Sequence, residues 1–120
     1  MRQYVIESKA QFLNGVYSFV GAGYDKVAPL SDKLIYVVPS DKRAQLIYLR
    51  AGNSSGELVY LTLMRDGVPM RYFPLGARGA EHVSLAVVED IEPETRIEVF
   101  FAAPADTHGS FIIDIGLLEI

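Results

Sequence analysis

Short apolar runs, broken about every ten residues by Gly, Pro, Asn or Asp, recur along this chain, which is the spacing of strands in sandwiches and barrels. The pattern predicts strands over Tyr4–Ser8, Val16–Val20, Leu34–Val38, Ala44–Ala51, Leu58–Arg65, Met70–Leu75, His82–Val88, Thr95–Ala102 and Ser110–Leu118. Turn chemistry separates them at Asn14-Gly15, Gly21-Ala22-Gly23, Pro39-Ser40-Asp41, Gly52-Asn53-Ser54-Ser55-Gly56, Asp66-Gly67 and Ala103-Pro104-Ala105-Asp106. These residues tolerate positive φ or preset a turn. Asp66-Gly67 is the strongest hairpin signal, because a two-residue type I′ turn needs positive φ at both centres. Pro69 just beyond implies that the second strand begins late or lies at a sheet edge, since proline donates nothing to a ladder, and Pro74 repeats the hint. Glu89–Thr95 carries Pro93 and reads as a turn or one short helical turn.

Alternation assigns faces. Ile97, Val99 and Phe101 share one side of their strand, opposite Arg96, Glu98 and Phe100; Val83, Leu85 and Val87 oppose His82, Ser84 and Ala86. Such strands bury one face and wet the other. Leu58–Met64 and Phe111–Leu118 are apolar on both faces. Either both run centrally under loops, or their outer faces make a subunit contact, because large apolar patches are rarely left exposed. The expected fold is all-β, a two-sheet antiparallel sandwich or jelly roll of about eight to nine strands.

Composition narrows the partners. The 120 residues suit one domain spanning 1–120, half of them hydrophobic and 22% charged, which is globular rather than disordered. A net charge of -4 with scattered Lys and Arg argues against nucleic acid, whose phosphates call for a basic surface. The nearest thing to a basic run, Lys42-Arg43, sits at a turn. With no cysteine, disulfides, thiolate chemistry and cysteine-ligated metals are excluded. Met1–Glu7 has no apolar run of signal-peptide length, and no segment approaches the roughly 20 apolar residues of a membrane span.

The residues point away from catalysis. His82 and His108 show no HxH or HxxxH spacing for a metal, and no Gly-x-Ser-x-Gly elbow is present to hold a nucleophile. Gly21-Ala22-Gly23 lacks the Lys-Ser/Thr of a phosphate loop. A hydrolase or isomerase would need both histidines to converge with carboxylates on one pocket. Asp114 interrupts a strand of Phe, Ile and Leu and shares a face with Ile112, Gly116 and Leu118. If that face is outward, Asp114 is simply wet; if it is buried, the carboxylate needs a partner or a cation, and Glu7 in the first strand could share the site. Among thirteen Tyr and Phe, Phe12, Phe19, Phe101 and Phe111 read as core. Tyr17, Tyr24 and Tyr72 lie near turns, where their rings either pack against the domain, the more ordinary role, or stack on a sugar; Tyr24 follows the Gly-rich turn and precedes Asp25.

The order of these pieces resembles carbohydrate-binding modules of families 6 and 35, in the galactose-binding-domain-like group. A strand ending in Val38-Pro39 leads through a polar turn to Leu46-Ile47-Tyr48-Leu49-Arg50-Ala51-Gly52-Asn53-Ser54-Ser55, then to a strand reaching Arg65-Asp66-Gly67. The family carries a similar run, roughly Y-x-L-x-x-R-Y-A-N-G, followed by a strand ending in N-G. Val5-Ile6-Glu7 and Phe111-Ile112-Ile113-Asp114-Ile115-Gly116-Leu117 stand where the family has its opening A-E and closing F-x-x-D-x-I-x-L strands. The resemblance implies a non-catalytic glycan-binding module, with Glu7 and Asp114 on one structural calcium ion, a cation that takes hard oxygen ligands. The chain departs from the family at Ile6, where a small residue is usual, at Asp66-Gly67, and in having no tryptophan. The competing expectation is a structural domain that assembles with copies of itself or docks to another protein.

Overall fold

Alternation becomes a ladder along most of the chain. The computed structural model describes residues 8–85 and 88–120. Its strands are β1 (Lys9–Val20), β2 (Ala28–Pro29), β3 (Ile35–Val37), β4 (Ala44–Asn53), β5 (Val59–Arg65), β6 (Val68–Leu75), β7 (Ala80–Ser84), β8 (Asp90–Ile91), β9 (Arg96–Ala102) and β10 (His108–Glu119). They form two antiparallel sheets. The first runs β1-β10-β4-β7, with β8 also paired to β4; the second runs β2-β9-β5-β6, with β3 also paired to β9. First and last strands lie side by side while the chain passes repeatedly between sheets, as in a jelly roll. The expected all-β sandwich is the observed fold.

The core is the space between the sheets. Phe111, Ile113, Ile115 and Leu117 of β10 are buried with Leu61 and Leu63 of β5 and with Ile97 and Val99 of β9. Each such side chain contributes roughly 1.5–3 kcal/mol by leaving water. Phe19, Phe101 and Phe111 interlock at ring separations of 4.5–5.9 Å. Elsewhere the Tyr36 hydroxyl donates to Glu119 Oε2 at 2.5 Å and ties β3 to β10 across the sandwich. Burial first, and then the Glu119 carboxylate, push the Tyr36 phenol well above its ordinary value.

The Asp66-Gly67 hairpin is present, with φ of 49° and 80° at its two centres. β6 is an edge strand, as its prolines require. β5 and β10, the two strands apolar on both faces, are interior to their sheets. Glu89–Thr95 contains the short β8 and then a turn closed by Thr95 N–H donating to the Glu92 carbonyl.

Other expectations need correction. Asn14-Gly15 is no turn but the middle of β1, opposite Asp114 and Ile113. The Tyr17 ring lies over Gly15, where a Cβ would come within 2.7 Å of its hydroxyl, and that hydroxyl donates to the Asn14 carbonyl. Twelve paired residues along β10 outweigh local turn preference. Phe12 is not core: continuing the strand through residue 12 puts it on the outer face, 56% exposed. In β4 the pairing with β10 slips between Gly116 and Leu117, leaving Ile47 as an extra residue. This bulge allows Leu46 and Leu49, three apart, both to point inward. The expected strand Tyr4–Ser8, apart from Ser8, lies outside the described residues, as does Val87.

Candidate functional site

The outer face of the second sheet carries a row of tyrosines. On β5 the outward positions include Tyr60, and on the neighbouring β6 they include Tyr72, which pairs across from Thr62. Tyr24 arrives from the loop after β1. Gly23 makes that approach possible: its φ of 121° favours glycine, and its N–H is held by the Ala103 carbonyl at 2.8 Å. Two reciprocal bonds then latch the loop to β5. The Tyr24 hydroxyl donates to the Leu58 carbonyl at 2.7 Å, and the Tyr60 hydroxyl donates to the Tyr24 carbonyl at 2.6 Å.

The rings form a continuous series. Tyr24 and Tyr60 lie 6.5 Å apart with planes only 21° from parallel, and Tyr60 and Tyr72 lie 5.9 Å apart. The ends are open to solvent, Tyr24 at 46% and Tyr72 at 60%, while Tyr60 between them is half-buried. Burial first, then Tyr72 and the Asp25 carboxylate, raise the Tyr60 phenol above its usual value. Phe100 and Pro29, paired across from each other on β9 and β2, continue the aromatic and proline character of this face.

Two of the three tyrosines singled out from sequence, Tyr24 and Tyr72, therefore belong to one row, each beside Tyr60; Tyr17 belongs to β1 in the other sheet. Tyr60 escaped notice because it sits in a run apolar on both faces. The available signal is that Tyr60 shares a strand face with the polar Thr62.

Asp114 lies on the outer face of the first sheet, half-buried rather than inside the sandwich. Its Oδ1 accepts the Tyr48 hydroxyl at 3.0 Å, and its Oδ2 lies 3.8 Å from Arg50 Nε. The Arg50 guanidinium also sits 5.1 Å from the centre of the Tyr48 ring, a cation–π contact. Burial first, then the bond to Asp114, raise the Tyr48 phenol. His82 meets the same ring edge-on at 6.1 Å. Glu7, the other half of the expected calcium pair, lies outside the described residues. The described neighbours of Asp114 supply a phenol and a guanidinium rather than the six to eight or so oxygens that calcium takes. Among the described residues, no group of three or more His, Asp or Glu side chains could hold a metal ion.

The histidines do not converge. His82 shares a row with Asp114, whereas His108 is six residues further along β10, about 20 Å at about 3.4 Å per residue.

No family model matches the chain, and neither does any curated protein. Among solved structures, the chain is similar to the insecticidal delta-endotoxin Cry8Ea1 from Bacillus thuringiensis, with 12% identity and a TM-score of 0.43. The match covers 84% of this chain and 18% of that one.

Proposed function

We propose that this domain is a non-catalytic carbohydrate-binding module that holds a glycan against the Tyr24–Tyr60–Tyr72 row. The observation that carries the reading is the latch: two hydroxyl-to-carbonyl bonds fix Tyr24 and Tyr60, two of the three rings, in place before any ligand arrives. A preordered platform saves the entropy of arranging side chains on binding. Tyrosine suits a sugar because its ring covers the apolar C–H face while its hydroxyl stays polar. Asp25, next to Tyr24, supplies an acceptor for sugar hydroxyls. Single-stranded nucleic acid also stacks on aromatic rows, but a chain of net charge -4 repels its phosphates.

Affinity electrophoresis through gels containing neutral polysaccharides, supported by a glycan array, tests the reading. The parent is expected to be retarded by at least one glycan. Tyr72→Ala, at an exposed ring, is expected to weaken that binding about tenfold, the equivalent of about 1.4 kcal/mol. Absence of retardation on every glycan, or retardation indifferent to Tyr72→Ala, refutes it.

A further inference from the structure

The opposite face, the outer surface of β1-β10-β4-β7, is self-complementary, and we infer that it binds a second copy of this chain about a two-fold axis running along the strands between β10 and β4. This goes beyond the glycan reading and uses the other sheet, so each can fail alone.

Register places outward side chains in rows across the four strands. The central row is Asn14, Asp114, Arg50 and His82. A two-fold axis parallel to the strands lays each row on its own reversal. In the central row, Arg50 of either copy then faces Asp114 of the other, and the charges match twice.

The flanking rows pair large with small. On one side, Val16 and Ile112 stand beside Gly52 and Ala80; reversal sets Ile112 over Gly52 and Val16 over Ala80. Val16 is 68% and Ile112 63% exposed, so these are the protruding groups. Arg50, Gly52, Ala80, His82, Ile112 and Asp114 line a depression of about 460 Å³, the seat for Ile112 of the second copy. On the other side, Phe12 and Gly116 stand beside Tyr48 and Ser84. The Tyr48 ring already covers Gly116 of its own chain, so here the match is that reversal sets exposed Phe12 over Ser84. The charged row and the Ile112–Gly52 row both invert into complements, which a face built only to meet water has no reason to do.

Four strands about 4.8 Å apart and three rows about 6.8 Å apart make a patch of roughly 19 by 20 Å per copy. This is roughly 380 Å² per copy, below the range of stable interfaces and in that of weak, transient ones, so the association is concentration-dependent.

Sedimentation velocity from roughly 5 to 500 μM tests it, a range that brackets a micromolar Kd. The parent is expected to move from 13.3 kDa toward twice that mass. Gly52→Leu fills the seat without backbone strain, since a Cβ there meets only Ala80 and Ile112 Cβ atoms at 3.9 Å, and is expected to weaken association at least about tenfold. Arg50→Glu and Asp114→Arg, each checked for parent-like thermal unfolding, are expected to do the same. Mixing those two variants is expected to restore association as a heterodimer, because each then meets its opposite across the axis. A parent that stays monomeric, a dimer that these variants leave intact, or a mixture that does not recover overturns the inference.

Discussion

Asn53, the last residue of β4, is buried and makes four hydrogen bonds with its side chain. Nδ2 donates to the Glu57 carbonyl at 2.9 Å and the Gly76 carbonyl at 3.0 Å. Oδ1 accepts from Ser55 N–H at 2.9 Å and from Ser55 Oγ at 2.8 Å. Every donor and acceptor of the amide is used. Asn53→Ala deletes them all, but Ser55 Oγ keeps an acceptor in the Glu57 carbonyl at 3.3 Å. Three hydrogen bonds between Asn53 and backbone groups are then lost, at about 1 kcal/mol each, so the expected cost is about 3 kcal/mol. With an unfolding entropy of about 2.1 cal/mol/K per residue, a 120-residue chain loses about 12 °C of Tm. Thermal and urea unfolding followed by circular dichroism measure both quantities. A fall of less than about 3 °C would refute the reasoning. Asn53→Asp gives a second reading with a definite sign. Its carboxylate only accepts and faces two carbonyls, whereas the protonated acid can donate to one, so folding raises its pKa. Its penalty relative to parent is therefore smallest below the ordinary carboxylate pKa of about 3.9 and grows as pH rises above it. Because the loop that Asn53 anchors ends at Leu58, whose carbonyl holds Tyr24, Asn53→Ala is also expected to weaken glycan retention.

Gly21→Ala would place a Cβ 2.1 Å from the Pro104 carbonyl oxygen and 2.8 Å from Ala103 Cβ. Neither backbone can yield cheaply, and a loss above about 2 kcal/mol is expected in urea unfolding; parent-like stability would deny the contact. Tyr36 makes stability fall in alkali: its folded phenol ionises later than the unfolded one, so the contribution is complete below about pH 10 and is lost as pH rises beyond it. Tm measured across that range checks this, and a flat profile would count against the Tyr36–Glu119 bond.

Much of the fold is legible in sequence because strand faces follow a local rule. Ile97, Val99 and Phe101 are buried as alternation demands, and Asp66-Gly67 turns where its backbone preferences say. What escaped depends on partners distant in the chain. Asn14-Gly15 has turn chemistry, yet residues 113 and 114 pair with it and keep it extended. The bulge at Ile47 changes the parity of β4 halfway along, which no single-strand pattern shows. The two-residue strands β2 and β8 are too short to carry a period. The same limit governs the sites: Tyr24 and Tyr72 stood out by their turns, but Tyr60, which joins them, is visible only once β5 and β6 lie side by side. The polar face of Asp114 was one of two readings open in sequence, and Tyr48 and Arg50 were not foreseen as its company.

The prolines of β6 reach beyond this fold's own pairing. An outermost strand normally offers a newcomer an unbroken series of amide hydrogens, the template on which fibrils lengthen. Here positions 69 and 74 have none to give. Stacking of chains from the tyrosine-bearing margin is thereby discouraged, and whatever settles there must engage ring surfaces instead of main chain. Twelve-residue β1, a border of the opposite sheet among the described residues, has no proline and is far longer than β7 at the other border, which makes it the longer margin where heated or concentrated samples would begin to seed.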